Sequence, residues 1–450
     1  MDSILKNGKL FGTDGIRGTP GEYPLTQGMI SKIGYSVARF IAYRKGEFKG
    51  KILIGKDTRL SGDWIETIFV DALTSYGIDV VLTGTITTPG LAFFTRELKA
   101  DLGIMISASH NKATDNGIKF FTHLGQKLSL QDEKWIERVI FTHLIYNYDL
   151  SNERRGEVYK LGEDILRYPA FLKSTLGEVT LDNLVVCLDC ANGSTSFFAK
   201  DLFTQLNATV YSLHDTPSGE KINVGGAVDP YSLRELVLAK NADAGFAFDG
   251  DGDRLAAVTD EGTFLSANQI LPLLYSHFYE RRSIVGNAAR TVATSHLIDY
   301  VAKKLGRRVI ETPVGFKYIS SLLRDGSVVI GGEESGGISF ASHIPEKDGI
   351  ASALVLLESV ELSGVPLHTL VNEMYKEYGY IESGRLDLLI DPTTEILLED
   401  IQFPEVIIGR KVIGTNKIDG LKILLEDGSW ILLRKSGTEN VVRIYAEAKY

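Results

Sequence analysis

Short, almost wholly apolar runs alternate with stretches whose apolar positions recur every three or four residues. The first kind predicts buried strands and the second amphipathic helices. Residues 51–55 read as a strand, 64–76 as a helix ending at Gly77, and 78–82 as the next strand. A Thr/Gly/Pro turn follows, then a helix over 90–98 and a strand over 102–106. A βαβαβ rhythm of this kind implies a mainly parallel sheet covered on both faces.

The rhythm returns twice. Strands over 184–188, 208–212 and 244–248 flank helices over 194–206 and 233–240. A third round places strands over 283–285, 308–311 and 328–331, with helices over 294–305 and 314–323. After a helix over 349–362 the pattern changes. From about 370 onward it predicts short alternating strands, a hairpin turn at Glu426-Asp-Gly-Ser429 and a last strand over 441–446. Three related α/β domains and a small α+β cap are therefore expected, with cuts near 150, 256 and 368.

At 450 residues, 44% of them apolar, the chain is long enough for several cores and is not disordered. A net charge of −10 argues against a nucleic-acid surface and against attraction to anionic membranes, while leaving room for a local cationic pocket. No signal peptide precedes Phe11 and no apolar run nears the ~20 residues that span a bilayer, so a cytoplasmic enzyme is expected. Cys187 and Cys190 form a Cys-x-x-Cys, but they lie where a buried strand runs into a turn and no second pair completes a zinc site. They read as core residues.

Chemistry concentrates where the 102–106 strand stops in a run of small polar residues. Ser109 and His110 stand at that strand end, where α/β proteins keep their sites, and Lys119 follows in Asn116-Gly-Ile-Lys119. A hydroxyl, an imidazole and an amine together suggest group transfer through the serine oxygen. The second strong signal is Asp249-Gly-Asp-Gly-Asp-Arg254, three carboxylates two residues apart that can converge on one hard cation. An EF-hand would want Gly at 254 and Glu at 260, where this chain has Arg254 and Asp260, so magnesium fits better than calcium. Gly331-Gly-Glu-Glu-Ser-Gly-Gly337 lacks the lysine of a P-loop; Glu333 and Ser335 suit neutral sugar hydroxyls better than phosphate. Arg434-Lys-Ser-Gly-Thr-Glu439 offers a compact oxyanion clamp, and Arg17 lies among glycines where backbone can approach a ligand.

Taken in order, these segments resemble the α-D-phosphohexomutase superfamily, the phosphoglucomutase and phosphomannomutase enzymes, over essentially the whole chain. Five motifs carry the resemblance: Thr13-Asp-Gly-Ile-Arg17, Ser107-Ala-Ser-His-Asn111 with Asn116-Gly-Ile-Lys119, Asp249-Gly-Asp-Gly-Asp-Arg254, Gly332-Glu-Glu-Ser-Gly336 and Arg434-Lys-Ser-Gly-Thr438. The resemblance implies three related mixed α/β domains and a C-terminal α+β (TBP-like) cap around a central cleft. Residues 1–150 would carry the phosphoserine loop, 151–256 the metal loop, 257–368 the sugar loop and 369–450 the phosphate-binding cap. Ser109 would carry a phosphoryl group, and Asp249, Asp251 and Asp253, with a phosphoserine oxygen of Ser109, would hold one Mg²⁺. Lys119 would be the general acid/base, with His110 and Arg17 beside the phosphoserine. Glu333 and Ser335 would grip sugar hydroxyls, joined by Arg254. Arg434, Ser436, Gly437 and Thr438 would hold the non-reacting phosphate.

The implied reaction passes through a hexose 1,6-bisphosphate, which is both intermediate and activator. Thr312-Pro-Val-Gly-Phe-Lys317 resembles the Gly-aromatic-Lys loop of phosphoglucomutases, which adds Gly315 and Lys317 as sugar- or phosphate-binding candidates. Glu-Glu-Ser followed by small residues is more like glucose-directed members, so interconversion of glucose 1- and 6-phosphates is expected, with mannose phosphates next. Against this, Phe11-Gly-Thr-Asp-Gly-Ile-Arg-Gly18 is usual in glucosamine-type members. A phosphoglucosamine mutase is the alternative, ahead of a non-catalytic sugar-phosphate binder or a serine phosphatase. The expected partner is a phosphorylated hexose, with neither nucleic acid nor membrane, for a monomer or homodimer.

Overall fold

The structure, a computed structural model, describes residues 9–142, 155–391, 398, 401–435 and 441–450. Its first sheet runs in the order Ile16–Gly18, Asn116–Thr122, Leu102–Ile106, Gly50–Lys56, Ile78–Thr85 and Val158–Lys160. The last four strands are parallel, and the first two turn antiparallel at one edge. Leu102–Ile106 is buried along its whole length, as a parallel strand covered on both faces must be. Removing a side chain such as Ile104 from it costs about 2–5 kcal/mol.

The second sheet repeats the plan. Ala244–Phe248, Val185–Asp189 and Thr209–Leu213 are parallel, and Leu255–Thr259 and Phe264–Leu265 fold back antiparallel. In the third sheet Val309–Thr312, Ala288–Thr291 and Ile330–Gly332 are parallel, with Ile338–Phe340 as the antiparallel edge. The last sheet is wholly antiparallel, in the order Ile381–Leu389, Val441–Lys449, Trp430–Lys435, Leu421–Leu425, Arg410–Asn416 and Val406–Ile407. Its central hairpin turns at Gly428, whose φ of +90° a side chain would resist.

Local chemistry accounts for the helix starts nearest the sheet ends. Thr87 caps Thr88–Glu97 by accepting from Gly90 N at 3.1 Å, with Pro89 in the first turn. Asp348 caps Gly349–Ser363 through Ala351 N at 3.0 Å, and its other oxygen accepts from Tyr168 Oη at 2.5 Å. One large apolar core joins helices and strands of the first three units, and Val292 and Ala293 meet Trp430, Leu432 and Tyr445 where the cap docks. Among the described residues no single helix is long and apolar enough to cross a bilayer.

Three local expectations differ from the structure. Residues 283–285 are not a strand: Ser283 has φ +54°, and the strand begins at Ala288. The 294–305 helix starts only at Leu297, because the Thr294 hydroxyl instead bonds the Thr291 side chain and Glu334 N. Residues 370–378 are not strand but the end of helix Leu367–Tyr378, which buries Leu367, Val371 and Met374 at helical spacing. Cys187 and Cys190 are free and buried, and burial pushes their thiols up to about 11 and about 12.

Candidate active site

The turn after Leu102–Ile106 is built by its own serines. Ser107 Oγ accepts from Ser109 N at 2.8 Å and donates to Asp57 Oδ2 at 2.7 Å, and Ser109 is held at φ +53°. A left-handed non-glycine costs roughly 1–3 kcal/mol and persists only where its surroundings dictate it. The conformation aims Ser109 Oγ at the second unit, where it donates to Asp249 Oδ2 at 2.5 Å.

Asp249 opens the loop between the antiparallel strands Ala244–Phe248 and Leu255–Thr259. Gly252, at φ +69°, folds that loop so that Asp249, Asp251 and Asp253, all buried, bring carboxylate oxygens within 4.8 Å of one another. Thr88, at the start of its capped helix, donates from Oγ1 to Asp251 Oδ2 at 2.5 Å. Lys119, on the strand beside Ser109, reaches Asp251 Oδ2 at 2.7 Å, Asp253 Oδ2 at 2.8 Å and Asp14 Oδ2 at 3.2 Å. Burial pulls the Lys119 pKa down, but the carboxylates of Asp251 and Asp253 outweigh it, so the ammonium is held well above its ordinary range.

This donor set fits a hard divalent cation. Asp251 Oδ1 and Asp253 Oδ1 are buried and accept no hydrogen bond among the described residues. Burial, then the like charges of Asp253 and Asp251, drives Asp249 up to about 7. A phosphoryl group on Ser109 would remove the proton now given to Asp249 and set phosphate oxygens against three carboxylates, which only a cation between them relieves.

Arg17 lies opposite Gly117 in the edge ladder and donates from Nη1 to Ala108 O at 2.9 Å and to Asn111 Oδ1 at 2.8 Å. Gly15 permits that approach, since a Cβ there would sit 2.3 Å from Ile118 O. His110 keeps its imidazole neutral: the Arg254 guanidinium, then burial, then Arg17 push its pKa down.

A cleft of about 310 Å³ opens beside these groups, and all four units line it. The first gives Asp14, Arg17, His110 and Lys127, the second Arg254, and the third Gly315, Glu333, Ser335 and Lys347. The cap gives Arg385, Arg434, Arg443 and Tyr445. Cationic side chains outnumber acidic ones on its wall, a local reversal of the chain's negative charge that suits a phosphorylated ligand. Glu333 Oε1 accepts from Gly315 N at 3.1 Å, which joins two of the sequence candidates. Arg434 is tied to Asp419, Nε to Oδ2 at 2.7 Å, and Asp419 also accepts from Val314 N at 3.0 Å.

One expected site residue falls elsewhere, and three are not described. Lys317 is not on the cleft wall: on its helix it pairs with Glu133 Oε2 at 3.2 Å, a partner from the first unit that no local pattern announces. Ser436, Gly437 and Thr438 lie outside the described residues. The sequence reading missed Asp14, Lys127 and Lys347. Asp14 pairs with Lys127 and contacts Lys119, while Lys347 Nζ lies 3.5 Å from Asp253 Oδ2 and 3.8 Å from Glu333 Oε2. Asp14 lies inside Thr13-Asp-Gly-Ile-Arg17, and Lys347 directly precedes the helix-capping Asp348, the one local signal for it.

Family models match the chain in four consecutive pieces. Residues 8–146, 167–262 and 266–378 match the phosphoglucomutase/phosphomannomutase alpha/beta/alpha domains I, II and III, and 402–449 the C-terminal domain. The phosphoglucosamine mutase of Syntrophus aciditrophicus (strain SB) is 37% identical over 443 residues, covering 98% of this chain and 95% of its own. That of Bacillus subtilis (strain 168) is 36% identical over 446 residues, with 98% and 95% covered. An X-ray structure of a phosphoglucomutase/phosphomannomutase family protein from Burkholderia thailandensis shares the fold, with a TM-score of 0.81 at 23% identity, covering 99% of this chain and 94% of that one. The expectation of a glucose- or mannose-directed enzyme is overturned, because curated relatives at 34–37% identity over nearly the full chain are phosphoglucosamine mutases. Glucose and glucosamine differ only in the substituent at C2, and a carboxylate and a hydroxyl can hydrogen-bond a hydroxyl or an amine there alike.

Proposed function

This chain belongs to the phosphoglucomutase/phosphomannomutase family and is an isomerase, a phosphotransferase mutase, and from that premise we propose that it interconverts glucosamine 6-phosphate and glucosamine 1-phosphate. The observation that carries the chemistry is the Ser109 hydroxyl on Asp249, at 2.5 Å, with Lys119 in the same buried cluster beside a cationic cleft. The choice of sugar is supported by the phosphoglucosamine mutases it resembles over nearly its whole length.

Ser109 is the phosphate carrier. Its P–O bond breaks as a sugar hydroxyl oxygen forms a bond to phosphorus, giving a sugar 1,6-bisphosphate. The sugar then turns over, and Ser109 Oγ bonds to the other phosphorus as that phosphate's bond to the sugar oxygen breaks, the proton passing each time from the oxygen that gains phosphate to the one that loses it. Asp249, Asp251 and Asp253, with an oxygen on phospho-Ser109, would hold Mg²⁺, which when bound neutralises charge on the phosphoryl group being transferred. Lys119, held as an ammonium by its carboxylates, is the group placed to hold or release a proton at the oxygen that phosphate leaves or joins. Arg17 fixes the turn through Ala108 O, and neutral His110 fills the wall without adding a charge. Glu333 and Ser335 grip ring hydroxyls in either orientation, and Arg434 receives the phosphate that is not reacting.

The test is a panel of glucosamine, glucose and mannose phosphates with Mg²⁺ and a trace of the matching bisphosphate. The highest kcat/KM should fall on glucosamine phosphate. A clear preference for glucose or mannose phosphates would overturn the sugar assignment, and release of inorganic phosphate without isomer would overturn the mutase chemistry.

A further inference from the structure

Two side chains that the reaction above does not use converge on the backbone of the Ser109 turn. Arg59, from the first unit, donates from Nη2 to Ser109 O at 2.9 Å and to Asn111 O at 2.7 Å. Asn223, from the second unit, donates from Nδ2 to the same two carbonyls, both at 2.8 Å. Each carbonyl thus uses both lone pairs, one on each domain. The amide oxygen of Asn223 accepts from Gly250 N at 2.8 Å, inside the Asp249–Asp253 loop. One side chain therefore ties the serine turn to the aspartate loop.

Neither group is free to wander. Arg59 Nε bonds Asp57 Oδ2 at 3.0 Å, and Nη1 bonds Lys112 O at 2.5 Å and Asp115 O at 2.8 Å, so every nitrogen of the buried guanidinium is engaged. Asp57 in turn accepts from Ser107 Oγ, the hydroxyl that closes the Ser109 turn. Asn223 adopts φ +64°, a conformation Asn tolerates better than most residues.

We propose that Arg59 and Asn223 are positioning residues for phosphoryl transfer, which clamp the Ser109 carbonyl so that Ser109 Oγ stays in register with the aspartate loop. The clamp answers a specific demand. Ser109 sits in a strained left-handed conformation and would relax if its carbonyl were released. The sugar must present two different hydroxyls in succession, so the serine has to remain fixed while the substrate turns. Because the sugar and its distal phosphate are held by other groups, loss of the clamp acts on the chemical step and spares binding. This inference rests on Ser109 being the phosphate carrier.

Asn223→Gly and Asn223→Asp are the informative variants, since both residues accept a positive φ, and the aspartate keeps the acceptor for Gly250 N while losing both donors. With Mg²⁺ and saturating sugar bisphosphate, kcat on glucosamine 6-phosphate should fall about 10²-fold in each, with KM unchanged. In single-turnover intact-mass measurements, loss of phosphate from Ser109 to the sugar should slow by the same factor in protein that circular dichroism shows to be folded at the assay temperature, although the lost hydrogen bonds lower its thermal midpoint. Wild-type transfer rates in both variants, or a rise in KM with kcat unchanged, would overturn the clamp. A wild-type enzyme that gains no phosphate on Ser109 from the bisphosphate would instead overturn the carrier assignment itself.

Discussion

Ser109 Oγ and Asp249 Oδ2, 140 positions apart in the chain, meet at 2.5 Å across the boundary between the first two units. That contact brings the hydroxyl onto a buried cluster of three carboxylates, of which Asp251 and Asp253 pair with Lys119 at 2.7 and 2.8 Å and Asp253 also with Lys347 at 3.5 Å. Against their burial, Lys119 helps hold Asp251 and Asp253 below the ordinary carboxylate range, whereas burial and its two acidic neighbours push Asp249 up, so the cost of the cluster falls on Asp249 and can be measured there.

Asp249→Asn keeps an acceptor for Ser109 Oγ and removes one buried charge. Metal-free, the variant should unfold at a midpoint equal to or above that of the wild type. Wild-type protein should gain about 2.7 kcal/mol from Mg²⁺ at one hundred times its dissociation constant, and the variant far less. Thermal unfolding with and without Mg²⁺ checks both. An equal Mg²⁺ shift in the two proteins would place the ion elsewhere.

Lys119→Met removes the ammonium that Asp251 and Asp253 share. Leaving Asp251 with only the Thr88 hydroxyl and Asp253 with the more distant Lys347 should cost up to about 3–5 kcal/mol in metal-free protein and abolish isomerisation. The stabilisation given by Mg²⁺ should grow, because a competing cation has gone. Denaturant titrations at a series of Mg²⁺ concentrations read the change, and a Mg²⁺ effect smaller than in the wild type would contradict it.

Arg434 is half of a junction: Asp419 holds its guanidinium and, through Val314 N, the loop of the third unit that leads to Gly315. Arg434→Lys keeps the charge and loses the planar fork. KM for the sugar phosphate should rise about tenfold, roughly 1.4 kcal/mol, with kcat little changed. Steady-state kinetics decide, and a fall in kcat at constant KM would move Arg434 from phosphate binding to the chemical step.

What could be read in the sequence is what is local. Asp249, Asp251 and Asp253 share one loop, and Ser109 with Lys119 shares one pair of neighbouring strands, so spacing alone brought them together. Lys347, Lys127, Arg443 and Asn223 come to the site from separate elements, and their roles depend on how the units dock. Lys317 shows the converse: its motif was visible, but its direction was set by Glu133 on a distant helix. Helix Leu367–Tyr378 carries its spacing openly, but in sequence it directly precedes the strand-rich cap and reads with it, whereas in the fold it packs on helices Ala267–Glu280 and Leu297–Lys304. The sugar is hidden for another reason, since a carboxylate and a hydroxyl such as those of Glu333 and Ser335 can accept from or donate to an amine or a hydroxyl alike.

The docking of the cap on the third unit contains a buried charge with a defined pH signature. Lys422 is almost fully buried on Leu421–Leu425; Nζ donates to Val292 O at 2.8 Å and Glu311 Oε1 at 3.2 Å, and lies 4.0 Å from the Trp430 ring centroid. Burial, then the nearby Arg290 guanidinium, lowers its pKa to about 8, with Glu311 offsetting part of the fall. An unfolded lysine titrates near ~10.4. Below pH 8 both states hold the proton, and the folded state bears the full cost of burying the charge. Between about pH 8 and 10.4 the unfolded chain binds more protons than the folded one, so this residue's contribution to stability rises with pH. Lys422→Met removes the titration. The unfolding free energy of the wild type minus that of the variant should therefore climb by roughly 3 kcal/mol across that interval and stay flat between pH 6 and 7.5. Urea unfolding of both proteins at closely spaced pH values measures it, and a difference that falls or stays level above pH 8 would show that the ammonium is not strained by its burial beneath the cap.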